Sequence, residues 1–407
     1  MNCPGAPWFL NMAQPGPVDA PVSPPAPVGH TPGLRWEIFC RVIDNHGDIG
    51  VCWRLCADLA ERGHRVRLWV DDPSALAWMA PGALQGLLPG IEVRHWMRPD
   101  REKENAPAEP PDVLVEAFGC DIEEERLAQL FPNLPARDGT EYAPPVWINL
   151  EYLSAEAWVE RCHGLPSPVQ RGLAKGQVKT FFFPGFRAQT GGLLRERDLL
   201  ARQTRFDGLQ WLSKLGLCGE QQLRLSLFCY EPVALPAWLN RLHRWPCPVH
   251  LLVAAGRPTA AVKTLEPIDS KENNTHPAQK GHSPLSISYL PNLTQRDFDH
   301  LLWSCHLNFV RGEDSLVRAL WAGQPLVWNI YPQDDNAHHA KLEAFLDWLE
   351  APDSLRDFHR IWNGLQPGEL PVPEWGAWRA CVGRARERLL PQDDLTTQLL
   401  RTVAEKR

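Results

Sequence analysis

Two short segments of this chain combine charged side chains with glycine in a way that suits chemistry on ionic substrates. The first is Asp44-Asn45-His46-Gly47-Asp48-Ile49-Gly50. Two carboxylates four residues apart can converge on one cationic group, as a base or as a clamp. A glycine such as Gly47 lets a ligand approach the backbone closely. The alternative is that Asp48 merely caps a helix. The second segment is Arg311-Gly312-Glu313-Asp314-Ser315. Arg311 can grip a diphosphate in bidentate fashion. Glu313 or Asp314 can accept hydrogen bonds from ribose or sugar hydroxyls, and Ser315 can donate to a phosphate oxygen. The alternative here is an Arg311–Glu313 ion pair and an aspartate cap at an ordinary helix start. Tyr331, ahead of Pro332-Gln333-Asp334-Asp335-Asn336, offers a phenol to the same neighbourhood or plugs the edge of the core.

The elements around these segments are legible. Trp36 to Ile43 reads as a buried strand. Val51, Cys52, Leu55, Cys56, Leu59 and Ala60 then recur at helical spacing until Gly63, and Arg65 to Val70 reads as the next strand. Strand, turn, helix and strand in that order form a βαβ unit with a parallel sheet. Further strands are expected at 112–117 and 146–150. A second set is expected at Leu223–Tyr230, Val249–Ala254, Ser286–Leu290, Leu307–Val310 and Leu326–Ile330, with helices at 235–244, 293–304, 314–322 and 335–349. A last amphipathic stretch at 376–405 reads as one or two closing helices. Both charged segments thus follow a strand and open a helix. At such a place free backbone N–H groups and the helix dipole face a ligand, and open α/β sheets bind ligands outside the carboxyl ends of their strands.

The domain expectation is a proline-rich extension over 1–33, an acceptor-binding Rossmann-like domain over 34–215, a nucleotide-sugar-binding one over 216–375, and closing helices over 376–407. Two Rossmann-like α/β domains facing a central cleft form the arrangement called GT-B, which also occurs outside enzymes. The polar stretch 265–284 reads as an insertion loop. The formal net charge is −7, so the chain lacks the basic field that draws proteins to nucleic acid or anionic lipid. No apolar run approaches the ~20 residues of a membrane span. The N-terminus lacks the pattern of a secretory signal. Eleven scattered cysteines read as buried free thiols of a reducing compartment, and the simplest location is the cytoplasm. The first turn is not G-x-G-x-x-G, and its acids would repel a pyrophosphate, which disfavours a dinucleotide cofactor. Asp71-Asp72, Asp334-Asp335 and His338-His339 lack partners at metal spacing, so no metal and no cofactor are expected.

Four stretches carry a resemblance to one family. They are Ile38 through Val51, Ile148-Asn149-Leu150-Glu151-Tyr152-Leu153-Ser154-Ala155-Glu156, Phe182-Phe183-Pro184-Gly185-Phe186, and Asn308 through Ser315. In this order they resemble the EarP family from about residue 36 to the C-terminus. The resemblance implies a GT-B enzyme that moves L-rhamnose from dTDP-β-L-rhamnose to an arginine of translation elongation factor P, inverting the anomeric carbon. It implies Asp48 as general base and Asp44 as a second essential acid. Arg311, Gly312, Glu313, Asp314 and Ser315 are implied as the donor motif, with Glu313 close to the chemistry, and Gln295, Tyr331 and Tyr230 as further donor-side positions. Two residues depart from the family: His46 stands where Phe or Tyr is frequent, and Thr294 where proline is common. The alternatives are a GT-B enzyme with another donor or a small-molecule acceptor, and a non-enzymatic nucleotide-sugar or protein-binding module.

Overall fold

The structure is a computed structural model that describes residues 33–43, 46–96, 110–131, 144–217, 222–265, 284–333 and 335–407. Asp44, the extension before residue 33 and nearly all of the expected insertion loop lie outside the described residues. The chain divides into two compact units. One runs up to Leu199 and takes in Leu389–Arg407; the other is Leu200–Arg388.

The first unit is built on seven strands: β1 (Arg35–Cys40), β2 (Arg65–Val70), β3 (Ile91–His95), β4 (Val113–Ala117), β5 (Val146–Leu150), β6 (Pro166–Pro168) and β7 (Val178–Phe182). Their order is β3-β2-β1-β4-β5-β7-β6, and all neighbours are parallel except β6 against β7. Ile38, Leu68, Val115 and Ile148 are fully buried in one core, each contributing roughly 1.5–3 kcal/mol of transfer free energy. The helix α1 (Gly47–Glu61) lays Cys52, Leu55, Cys56 and Leu59 on that core. The second unit has β8 (Leu223–Leu227), β9 (Val249–Val253), β10 (Leu285–Tyr289), β11 (Leu307–Arg311) and β12 (Leu326–Asn329), all parallel, in the order β10-β9-β8-β11-β12. Both sheets reverse their order beside the first strand of the unit, between β1 and β4 and between β8 and β11. Ligands bind at such switch points, outside the carboxyl ends of the strands.

Several expected boundaries move, each for a physical reason. The first strand stops at Cys40 because the Val42 amide leaves the ladder and donates to Asp71 Oδ1 at 2.8 Å. The strand at 223 stops at Leu227, since the Tyr230 amide donates to the Asn329 side chain instead of a strand. The closing stretch is two helices that go to different units. Trp375–Leu389 stays with the second, while Leu395, Leu399 and Val403 of Leu395–Lys406 are buried in the first unit's core. Arg62 clamps that return, donating to Asp58 and Asp394 at 2.7 Å each. The segment 200–215, expected in the first domain, packs on the second: Leu212 joins Leu252, Leu290 and Leu301, and Trp211 Nε1 donates to Asp297 at 3.3 Å. No helix of the described residues is long and apolar enough to cross a membrane.

Candidate active site

In the first unit, β1 ends at the sheet's switch point and α1 begins after the turn that His46 closes. His46, not Asp48, occupies the N-cap, and its side chain makes no capping bond. Asp48 is half-buried in the first helical turn, so the simple capping alternative for it does not apply. A Cβ added to Gly47 would meet nothing within 4 Å, leaving the backbone open to approach. Behind the turn, Cys40 and Cys52 are buried. Their mutual hydrogen bond and burial, helped by the charges of Asp48 and Asp71, push the Cys40 thiol well up. That thiol is therefore inert packing, and cysteines of the described residues are free. Asp71 and Asp72 add to the acidity here. Asp71 accepts from Val42 and Asp72 amides, and hydrogen bonds from Ser74 hold Asp72 below its ordinary range. His46 packs edge-on against Trp78, ring centroids 5.9 Å apart.

In the second unit, β11 runs into α3 (Gly312–Ala322), the helix after α2 (Gln295–Ser304). Arg311 is extended and occupies the N-cap, and Gly312 turns the chain at φ +65°, a region costly for residues with a Cβ. The helix is anchored by a buried fork. Arg318 donates to Asp299 of α2 at 2.9 and 2.8 Å. Arg311 lies over two aromatic faces, 4.5 Å from the Phe228 centroid and 4.8 Å from that of Tyr230. Its Nη1 donates to the Cys229 carbonyl at 3.3 Å. Burial pulls its pKa down from the ordinary value, but a guanidinium stays charged at neutral pH. The expected Arg311–Glu313 alternative is not what forms. Glu313 is held by Lys341 of the helix Ala337–Leu349 at 2.7 Å.

Ser315 is bonded back into the turn. Its hydroxyl donates back to the Arg311 carbonyl and accepts from the Arg311 amide at 3.0 Å. The hydroxyl thus ties the amide and the carbonyl of Arg311 together at the helix start. Asp314 sits half-buried in the first helical turn. Tyr230 and Tyr331 meet edge to face at 5.5 Å, Tyr230 nearly buried and Tyr331 39% exposed. Both are set by one amide chain. Asn329 accepts from the Tyr230 amide at 2.8 Å and donates to Asn363 at 3.0 Å, and Asn363 accepts from the Ile330 amide at 2.9 Å. A Cβ on Gly312 would stand 4.0 Å from the Tyr230 hydroxyl, so the phenol borders the turn. Gln295 opens α2 after the edge strand β10, separated from β8 by β9. Thr294, the departure from the family, is its N-cap, accepting from the Asp297 amide at 3.0 Å.

The structure therefore brings Tyr230, Arg311, Gly312, Ser315 and Tyr331 together, with Glu313 on Lys341 beside them. Sequence reasoning missed Phe228, Lys341, Asn329 and Asn363. Their only signal is their place at the end of a strand or a helix, or on a following helix, and their partners lie tens of residues away.

The family model for the elongation factor P (EF-P) rhamnosyltransferase EarP matches residues 36–404. A protein-arginine rhamnosyltransferase of Pseudomonas putida is 46% identical over 368 residues, covering 85% of this chain and 89% of that protein. One from Shewanella oneidensis is 40% identical over 379 residues, covering 83% and 91%. A solved structure described as the structural basis for EarP-mediated arginine glycosylation of translation elongation factor EF-P is 31% identical with a TM-score of 0.58. It covers 92% of this chain and 100% of the other.

Proposed function

The chain belongs to the EarP family of glycosyltransferases and has its GT-B fold, and from that premise we propose that it transfers L-rhamnose from dTDP-β-L-rhamnose to an arginine of translation elongation factor P. Transfer inverts the anomeric carbon, needs no metal, and takes place in the cytoplasm. The observation that supports this most is the Arg311 turn. A fixed guanidinium on aromatic faces, next to a helix N-terminus at a sheet switch point, suits a leaving diphosphate.

The acceptor side follows from acidity. A guanidinium has a pKa above about 12, and an ordinary aspartate near ~3.9 does not remove its proton beforehand. The base acts late. As a guanidine nitrogen forms its bond to the anomeric carbon, the bond from that carbon to the diphosphate oxygen breaks and its electron pair leaves with dTDP. The nitrogen then turns acidic and its proton passes to Asp48. Asp44 and Asp48 also grip the planar cation by forked hydrogen bonds and orient it. Arg311 and the α3 N-terminus stabilise the departing charge. Glu313, oriented by Lys341, serves the sugar side, and Gly47, Tyr230, Gln295, Asp314, Ser315 and Tyr331 complete the donor side. The test is mass spectrometry of elongation factor P incubated with this protein and dTDP-β-L-rhamnose. The expected product carries one deoxyhexose on an arginine, in α linkage by NMR. An unmodified factor, with another nucleotide sugar consumed instead, would overturn the proposal.

A further inference from the structure

Two guanidinium groups lie against the Tyr230 ring, and only Arg311 has so far been given a task. Arg257 is the other, its Cζ 5.1 Å from the ring centroid. It opens the helix Arg257–Leu265 directly after Gly256, whose φ is +85°. That places it past the carboxyl end of β9, the strand beside β8. The three groups Arg257, Tyr230 and Arg311 thus border one edge of one sheet.

Arg257 is forked onto Glu231. Nε donates to Oε1 at 2.8 Å, and Nη2 donates to Oε2. Both side chains are about half-exposed, 46% and 50%. An exposed pair holds its geometry weakly. A phosphate takes the same two parallel N–H donors as a carboxylate does. A nucleoside diphosphate gains negative charge as its sugar departs, more than one guanidinium balances. We infer that Arg257 is a second diphosphate-binding cation of this site, held ready by Glu231 and exchanging that carboxylate for phosphate oxygens when the donor binds. Glu231 has a matching duty, because Arg257 offsets a charge that would otherwise repel the diphosphate.

The inference rests on the donor reading above, and the test separates the two. Thymidine diphosphate is titrated calorimetrically into the full-length protein and into Arg257→Ala, Arg257→Lys, Glu231→Gln and Arg311→Ala. Arg257→Ala should weaken binding about tenfold and flatten the dependence of Kd on salt, and Arg257→Lys should recover part of both. Glu231→Gln should bind as tightly as wild type or a few-fold tighter. If Arg311→Ala weakens binding while Arg257→Ala stays within about twofold of wild type, the inference falls and the donor reading stands. Equal weakening in Arg257→Ala and Glu231→Gln makes the pair a surface pin, which also overturns the inference. A wild-type protein that does not bind thymidine diphosphate sinks both.

Discussion

The segments after β1 and after β11 stand at corresponding places in their sheets and carry opposite charge. Each leaves a parallel strand beside a sheet switch point and enters a helix. The first has half-buried Asp48, an exposed histidine at the N-cap and an open glycine, with Asp71 on the Val42 amide where β1 ends. The second places a fixed arginine on two rings, locks it by a serine back-bond and needs a left-handed glycine. Side chains on a shared α/β scaffold, not the fold, decide what each turn can do. An acidic turn suits a cationic acceptor, and a rigid cationic turn suits a departing anion. A preorganised cationic turn spends no reorganisation as charge develops.

Substitutions at either turn tell the two apart. The largest expected effect of a donor-side change is Arg311→Ala, which should weaken thymidine diphosphate binding about 10- to 100-fold. Arg311→Lys should recover only part, having charge without the fork; equal affinity in Arg311→Lys and wild type would show that geometry is unimportant. Acid should also divide the two units. Burial pulls His359 down to about 4 and His306 to about 3, and each has a ring nitrogen that accepts a backbone N–H. Above about pH 6.5 these histidines are neutral in both folded and unfolded chains. As pH falls below that value the unfolded chain binds protons that the fold refuses, so stability declines toward pH 4, by roughly 2 kcal/mol per histidine at pH 5. In the first unit, burial lowers His64 and His163 but raises Asp58 and Glu151. A raised carboxyl takes up a proton more readily folded than unfolded, which opposes acid loss. Hydrogen exchange at pH 7 and pH 5, read as protection factors, should show the greater loss in residues 200–388.

Smaller changes sharpen the donor turn. Gly312→Ala forces a Cβ into φ +65°, at about 1–2 kcal/mol. It should lower the melting temperature of the second unit by roughly 2–6 °C and weaken donor binding several-fold. A stable variant with unchanged affinity would mean that the turn is not held as described. Lys341→Ala removes the partner of Glu313. With only part of a half-buried pair at stake, kcat/KM for the donor should fall about three- to tenfold; no change in steady-state kinetics would deny Lys341 a positioning role.

Both turns were legible in the sequence because each is local: a buried apolar run, a glycine between charges, and then helical periodicity. What stayed hidden depends on residues far apart in the chain. The back-bond of Ser315 to Arg311 shows only in the folded turn, and Lys341 looks like an ordinary helix surface residue. Asn329 and Asn363 act only through the register of β12 and the helix Asp353–Trp362. The end of β1 was misjudged because Val42 and Ile43 are good strand formers, yet Asp71 captures the Val42 amide. The closing stretch hid its division because both of its helices are amphipathic, and periodicity does not say which core a helix will cover.

The most direct test of the division between the turns is single-turnover transfer by Asp48→Asn loaded with dTDP-β-L-rhamnose and mixed with elongation factor P, quenched in time and read by mass spectrometry. Donor affinity should stay within about twofold of wild type while transfer slows by about 10²- to 10⁴-fold, the usual worth of a general base. Transfer at a near wild-type rate would contradict the account.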